Sequence, residues 1–116
     1  MLYICFLGGN KMAFKWTLNE ETIMICDFDD DKALKLTNEG YFHLTGYGRC
    51  EEYGYKRFDH IVFKPPKLFF KGLICFYENK DDKYATFSIR VFKEYKNEYN
   101  ALINVLKENG VDVWVK

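Results

Sequence analysis

One segment of the chain combines tyrosine, arginine and lysine with glycine, and these side chain types can recognise a partner. Residues 46–57 read GYGRCEEYGYKR. Tyrosine and arginine are enriched at protein-binding surfaces and also stack on unpaired nucleic-acid bases. The glycines favour a long, adaptable loop. The candidate binding residues are Tyr47, Arg49, Tyr53, Tyr55, Lys56 and Arg57.

The same side chains have a second interpretation, which is purely structural. The tyrosines would cover an open sheet edge, and the neighbouring lysines would solvate the strands. Between residues 49 and 71 there are six Lys or Arg residues against three acidic ones, whereas residues 19–31 hold six acidic residues and no basic one. The chain is therefore expected to be electrically two-faced, although its formal net charge is zero.

A thiol–histidine pair is the catalytic combination that the side chains would allow. The two histidines are His43 and His60, and Cys50 lies between them. Cys50 beside either histidine would imitate a thiol nucleophile with its base, or part of a zinc site. Both histidines fall on predicted strands, where histidine is commonly a surface or hydrogen-bonded structural residue. We expect no catalytic residues, no metal site and no cofactor.

Asp27, Asp29 and Asp31 have the alternate spacing that opens a calcium-binding loop. Such a loop needs Gly at its sixth position and Glu at its twelfth. These positions hold Lys32 and Asn38 here. The pattern therefore favours a charged hairpin turn over a cation site.

Alternation of apolar and polar residues predicts strands through most of the chain. The clearest hairpin joins residues 33–37 to residues 41–45 through the turn Asn38-Glu39-Gly40. The apolar residues on the inward face of this hairpin are Leu34, Leu36, Phe42 and Leu44. The predicted strands cover residues 13–18, 22–28, 33–37, 41–45, 58–63, 68–77 and 84–92.

The period of the pattern changes towards the C-terminus. The residues that form the stripe of one amphipathic helix are Tyr95, Tyr99, Leu102, Ile103 and Leu106. Asn109-Gly110 is a suitable helix end, and residues 111–115 are a last short strand or an extended tail. The order predicts an α+β domain: a strongly curled, mostly antiparallel sheet, or a partly open barrel, of six to seven strands covered by the helix.

Length and composition fit a single domain. The 116 residues are 48% hydrophobic and 19% aromatic, which suffices for one core. Zero net charge removes the usual electrostatic argument for a dedicated binder of nucleic acid or anionic membranes. We expect residues 12–116 to form the domain and residues 1–11 to be an N-terminal strand or an appendage, with Met12 as an alternative translation start.

The cysteines and the apolar segments indicate the cellular compartment in which the protein is expected. Cys26 and Cys75 lie in apolar, strand-like runs, where a reduced and buried thiol is expected. Residues 1–7 are apolar but lack the features of a signal peptide. No segment approaches the ~20 apolar residues that span a bilayer. A cytoplasmic protein without a membrane span is expected.

Several segments in order carry a family resemblance across residues 12–109. They are Ile61-Val62-Phe63, then Pro65-Pro66, residues 70–76 (FKGLICF), residues 87–89 (FSI) and the single helix. This order resembles small prokaryotic pleckstrin-homology-like domains. The resemblance implies a curled barrel plugged by the helix, and a binding or assembly module without catalysis. Members that bind phosphoinositides use basic residues in the first hairpin turn, whereas this chain has Asn19-Glu20-Glu21 there.

The leading hypothesis is a non-enzymatic binding or protein-interaction module that acts through residues 46–57. Its expected partner is another protein, while nucleic acid, a small ligand and a second copy of the chain stay open. The first alternative function is a small enzyme that depends on Cys50 with His43 or His60. The second alternative is a single-stranded nucleic-acid binder.

Overall fold

The computed structural model describes residues 22–116, which form eight strands and one α-helix. The first four strands are β1 (Thr22–Asp27), β2 (Lys32–Thr37), β3 (Tyr41–Gly46) and β4 (Arg49–Gly54). The later elements are β5 (His60–Lys64), β6 (Gly72–Tyr77), β7 (Phe87–Val91), α1 (Lys96–Glu108) and β8 (Val113–Val115). The predicted strand at 13–18, the turn at 19–21 and the segment 1–11 lie outside the described residues.

The strands divide between two sheets of four strands each. The order of the first sheet is β1-β2-β3-β4, and every pairing in it is antiparallel. The order of the second is β7-β6-β5-β8, in which β8 runs parallel to β5. The α+β class, the mostly antiparallel pairing and the C-terminal helix are confirmed. One strongly curled sheet or barrel is not confirmed, because the strands form two separate sheets.

The predicted hairpin around residue 39 is confirmed in detail. Leu34 pairs with Leu44 and Leu36 with Phe42, so all four side chains share one face and are buried. Gly40 has a φ of 89° in the connecting turn, a conformation that glycine adopts without steric cost. Local turn chemistry and apolar alternation therefore agree here.

One hydrophobic cluster combines the inward residues of both sheets with one face of α1. The predicted helical stripe is confirmed: Tyr99, Leu102 and Leu106 are buried, while Tyr95 and Ile103 are half-buried and pack against the cluster. The largest fully buried side chains are Phe42, Phe63 and Phe76. Part of the aromatic excess of the sequence thus fills the core.

The prediction of a long loop over residues 46–57 is wrong. Tyr47 and Gly48 alone form the turn between β3 and β4, and their φ values of 56° and 76° match a two-residue turn of the type I′ class. β4 follows at once, and a short 3-10 turn occupies Tyr55–Arg57. The segment lacks a sharp apolar alternation because most of its side chains are exposed or only half-buried.

Two predicted strands are too long. The strand expected over 68–77 begins only at Gly72, where an added Cβ would lie 2.7 Å from the carbonyl oxygen of Lys64. The strand expected over 84–92 is limited to Phe87–Val91. The residues expected as a short strand or tail at the C-terminus include β8.

Candidate functional site

The inward face of β4 borders a groove of about 110 Å³ between the two sheets, called the rim groove below. Cross-strand pairing explains why the β4 side chains reach it: Arg49 pairs with Gly46, and Glu51 pairs with Leu44. Paired residues project on the same side of a sheet. The lining residues are Leu44, Gly46, Tyr47, Arg49, Glu51, Tyr53, Thr86 and Phe87.

Polar groups of the rim groove are connected to one another. The hydroxyl of Tyr53 donates a hydrogen bond to Oε1 of Glu51, and Nη1 of Arg49 lies 3.6 Å from Oε2 of the same carboxylate. The hydrogen bond to Glu51, together with burial, raises the pKa of Tyr53 above its ordinary value. The one hydrogen of the phenol is donated to Glu51, so the Tyr53 oxygen is left to accept a hydrogen bond from a ligand.

Tyr47 stands at the mouth of the rim groove with 76% of its surface exposed. Its positive φ is uncommon for a bulky residue, since Asn or Gly is favoured at this turn position. Nζ of Lys32 lies 4.8 Å from the centre of the Tyr47 ring and donates a hydrogen bond of 3.0 Å to the carbonyl of Ser88. Burial lowers the pKa of Lys32, but hydrogen bonds with Tyr47 and Asp30 outweigh that effect and raise it.

The structure brings only three of the six predicted binding residues to the rim groove: Tyr47, Arg49 and Tyr53. Tyr55 does not line the rim groove, because its side chain is buried in the core. No sequence signal separates Tyr53 from Tyr55, since the 3-10 turn that directs Tyr55 inward has no clear pattern of its own.

The other two predicted residues lie at the neighbouring 3-10 turn. Lys56 lines a different depression, together with residues 109–112. Arg57 lies with its Nη2 atom 3.0 Å from Oε2 of Glu78, and its guanidinium carbon lies 5.7 Å from the ring centre of Tyr53. Arg57 therefore supports the ring of Tyr53 from behind the rim groove.

The candidate thiol and the first histidine lie on the outward face of the first sheet. His43 has its Nε2 atom 3.3 Å from Oε2 of Glu52, and Cys50 is exposed and pairs with Thr45. No hydrogen bond or ion pair joins Cys50 to a histidine within residues 22–116. The same residues contain no group of three or more His, Cys, Asp or Glu side chains that could hold a metal ion.

His60 has a structural environment in the second sheet. Its ring is buried and stacks between Tyr77, at 4.7 Å, and Trp114, at 4.2 Å, measured between ring centres. Nδ1 of His60 lies 2.7 Å from Oδ2 of Asp59. The stack ties β6 and β8 to β5.

The three alternating aspartates separate into two environments. Asp29 and Asp31 lie in the turn between β1 and β2, as the interpretation of a charged hairpin turn predicts. Asp27 is instead fully buried, and its two oxygens accept hydrogen bonds of 2.7 Å and 3.0 Å from Arg90 on β7. Burial raises the pKa of Asp27, but Arg90 and the backbone N–H of Asp30 outweigh it and hold the pKa below its ordinary value.

A second exposed surface was not predicted from the sequence. Leu68, Phe69 and Phe70 are highly exposed at the end of the connection between β5 and β6, and they are called the apolar tip below. The pattern that could have revealed them is an apolar triplet between Lys67 and Lys71, set off by two prolines and a glycine. A strand prediction across residues 68–77 concealed it.

Comparison of the chain with protein-family models, with curated protein sequences and with solved structures finds no match. In the part of the chain that the structure describes, no helix is long and apolar enough to cross a membrane. A function for this fold must therefore be argued from the geometry and chemistry of its own surfaces.

Proposed function

We propose that the protein is a non-enzymatic binding module that captures an extended segment of another protein along β4. The observation that carries this proposal is that β4 lies at a sheet edge and, within residues 22–116, pairs only with β3. An edge strand presents backbone N–H and C=O groups that an extended peptide can pair with. The rim groove lies beside this edge and takes one side chain of the partner.

The size of the rim groove favours a side chain anchor over a free small molecule. Sites for small ligands usually enclose ~300–1,000 Å³. The rim groove encloses about 110 Å³. Phe87 and Leu44 supply apolar walls, while Arg49, Glu51 and Tyr53 supply charged and hydrogen-bonding groups, so an anchor with an apolar body and a polar end fits best.

The backbone at Tyr47 supports the same proposal. A bulky residue with a positive φ is conformationally unfavourable, and such residues persist most often where the side chain has a function. The exposed ring of Tyr47, which lies against the ammonium of Lys32, forms an aromatic surface at the mouth of the rim groove.

We also propose that the domain is pleckstrin-homology-like. The support is the order of elements: β1–β4 form one sheet, β5–β7 lie in a second, and α1 follows and joins the shared core. β8 extends beyond the resemblance. The cytoplasm is the proposed compartment, because Cys26, Cys50 and Cys75 are free thiols.

Peptide selection tests the proposed function. Peptides selected from a random display library on the whole protein are expected to lose affinity by about thirtyfold in the variant Arg49→Ala/Tyr53→Ala, which removes groups central to the rim groove. Amides of β4 are expected to become protected from hydrogen exchange when the peptide binds. Fluorescence anisotropy and NMR measure the two effects.

The matched control is Tyr84→Ala, because Tyr84 is also a highly exposed tyrosine but does not line the rim groove. This variant is expected to bind the selected peptides as the natural protein does. Selected peptides that bind equally well to the Arg49→Ala/Tyr53→Ala variant and leave β4 unprotected would contradict the proposed function.

A further inference from the structure

The connection between β5 and β6 forms a surface that is separate from the rim groove. We propose that this connection docks the protein on an anionic lipid bilayer, with the apolar tip inserted among the lipid headgroups. Leu68, Phe69 and Phe70 are 74%, 85% and 72% exposed. Three consecutive large apolar side chains at such exposure are typical of a surface that another molecule covers.

Two backbone hydrogen bonds close the turn that carries the apolar tip. The N–H of Lys67 donates to the carbonyl of Phe70 at 2.8 Å, and the N–H of Phe70 donates to the carbonyl of Lys67 at 3.2 Å. Leu68 and Phe69 are thus the two central residues of a closed turn. Because backbone groups without partners are costly in lipid, this internal pairing lowers the penalty for insertion.

Five lysines surround the apolar tip, and they come from four parts of the chain. Within residues 22–116 none of them forms an ion pair, and Glu94 is the only acidic residue of that part that lines the depressions around the tip. One depression, of about 300 Å³, lies beside Phe70 and another lies between the tip and Phe92. The lysines that line the two depressions are Lys64, Lys67, Lys71, Lys93 and Lys116.

This combination of charge and apolar surface matches an anionic bilayer. Ammonium groups on flexible stems reach the phosphates and carboxylates of lipid headgroups, while phenylalanine rings occupy the apolar zone beneath them. A contact between two copies through the same tip would bring both sets of lysines together, and repulsion between like charges opposes it. The bilayer is therefore favoured over a second copy.

The end of β8 adds to the same surface. Val115 pairs with Phe63, the residue before Lys64, and the backbone N–H of Lys116 donates to the carbonyl of Phe63. The C-terminal end of β8 consequently lies at the end of the sheet from which the tip projects. Val115 is exposed there and adds an apolar side chain to the surface around the tip.

Sedimentation of the full chain with lipid vesicles tests the inference. Binding is expected with vesicles of equal parts phosphatidylcholine and phosphatidylserine, and little binding with phosphatidylcholine alone. The variant Leu68→Ser/Phe69→Ser is expected to bind about a hundredfold more weakly, because two large apolar side chains no longer leave water. The variant Lys67→Gln/Lys71→Gln is expected to lose about twenty-five-fold, or about fivefold for each lysine.

Matched controls use side chains beyond the opposite end of β6. Tyr84→Ser removes an equally exposed aromatic ring, and Lys80→Gln/Lys83→Gln removes two exposed lysines. Both are expected to bind vesicles as the natural chain does. Because all substituted side chains are exposed, every variant should keep the melting temperature of the natural protein, and circular dichroism checks this.

Three outcomes would overturn the inference. The first is absence of binding to the phosphatidylserine vesicles, and the second is binding that the tip and lysine variants leave unchanged. The third is concentration-dependent dimerisation that Leu68→Ser/Phe69→Ser abolishes while vesicles have no effect, which would assign the tip to a second copy. None of these outcomes bears on the rim groove, so the proposed function is tested separately.

Discussion

At the scale of single residues, Asp27 and Arg90 form a charged pair in which the two partners differ in burial. The carboxylate of Asp27 is fully buried, while 39% of the Arg90 side chain is exposed. The pair joins β1 of the first sheet to β7 of the second. Removing either partner therefore leaves a different charge behind, in a different environment.

Substitution of Arg90 is expected to be more damaging than substitution of Asp27. Arg90→Leu leaves a buried carboxylate without its partner, and we expect a loss of about 2–4 kcal/mol in the free energy of unfolding. Asp27→Asn leaves a guanidinium that water can reach, and we expect a loss of about 1–2 kcal/mol. Urea denaturation near neutral pH measures both, and equal losses would contradict this account.

The same pair predicts a dependence of stability on pH. The folded pKa of Asp27 lies below its ordinary value of 3.8, so the stabilisation is fully present above that value. It is lost progressively as the pH falls from that value through the folded pKa, because the unfolded state binds the proton more readily than the folded state in this range. The free energy of unfolding should fall in that acidic range for the natural protein, and by less for Asp27→Asn.

Single residues also mark the limit of what the sequence predicts. The spacing of Asp27, Asp29 and Asp31 is visible in the sequence, but the partner of Asp27 lies 63 residues away on another strand. Tyr53 and Tyr55 differ by two positions and look alike in sequence, yet one lines the rim groove and the other is buried. Long-range contacts decide both cases.

At the scale of elements, prediction succeeds where local signals agree and fails at edges. The hairpin of β2 and β3 has a turn with glycine and strict alternation, and each signal alone predicts it. β4 escapes prediction because its inward positions include Arg49 and Glu51, which line an open groove and need not be apolar. The polar side chains of β4 hide the alternation by which a strand is predicted, and the same side chains make β4 a candidate binding site.

Gly72 is expected to be essential for the connection between β5 and β6. A Cβ at this position would lie 2.7 Å from the carbonyl oxygen of Lys64 and 2.9 Å from the nitrogen of Pro66. Both atoms belong to the backbone, so Gly72→Ala should destabilise the fold by about 1–3 kcal/mol through overpacking. Chemical denaturation measures the change.

Gly54→Ala is the matched control for this substitution. A Cβ at Gly54 would meet only a ring atom of Tyr41, at 4.0 Å. We expect a change within about 0.5 kcal/mol. A loss of stability at Gly54 as large as that at Gly72 would show that close backbone approach is not the cause.

At the scale of the whole molecule, a net charge of zero conceals a local concentration of charge. The net charge of the chain is zero, and this value argues against an anionic membrane as a partner. That argument does not take into account where the charged side chains lie in the fold. The fold gathers Lys64, Lys71, Lys93 and Lys116 from four parts of the chain around one apolar tip. Composition contains no information about that arrangement.

The cysteines allow protection at the second sheet to be measured. Cys50 is exposed, whereas Cys75 is buried on the face of β6 that points away from the hydrophobic cluster, and burial raises its pKa. With an alkylating reagent, Cys50 is expected to react first and Cys75 more slowly, with a rate that rises with urea. Peptide mass spectrometry assigns the label, and equal rates in native buffer would contradict the burial of Cys75.

The pairing of β8 with β5 has a consequence for aggregation. β5 is buried on both faces along His60–Phe63, and β8 covers its outer backbone edge with only three residues. Without β8, an apolar strand with no proline would expose a row of unpaired backbone groups, the template from which sheets grow between molecules. Cleavage after Gly110 would therefore convert an internal strand into a seed for fibrous assembly.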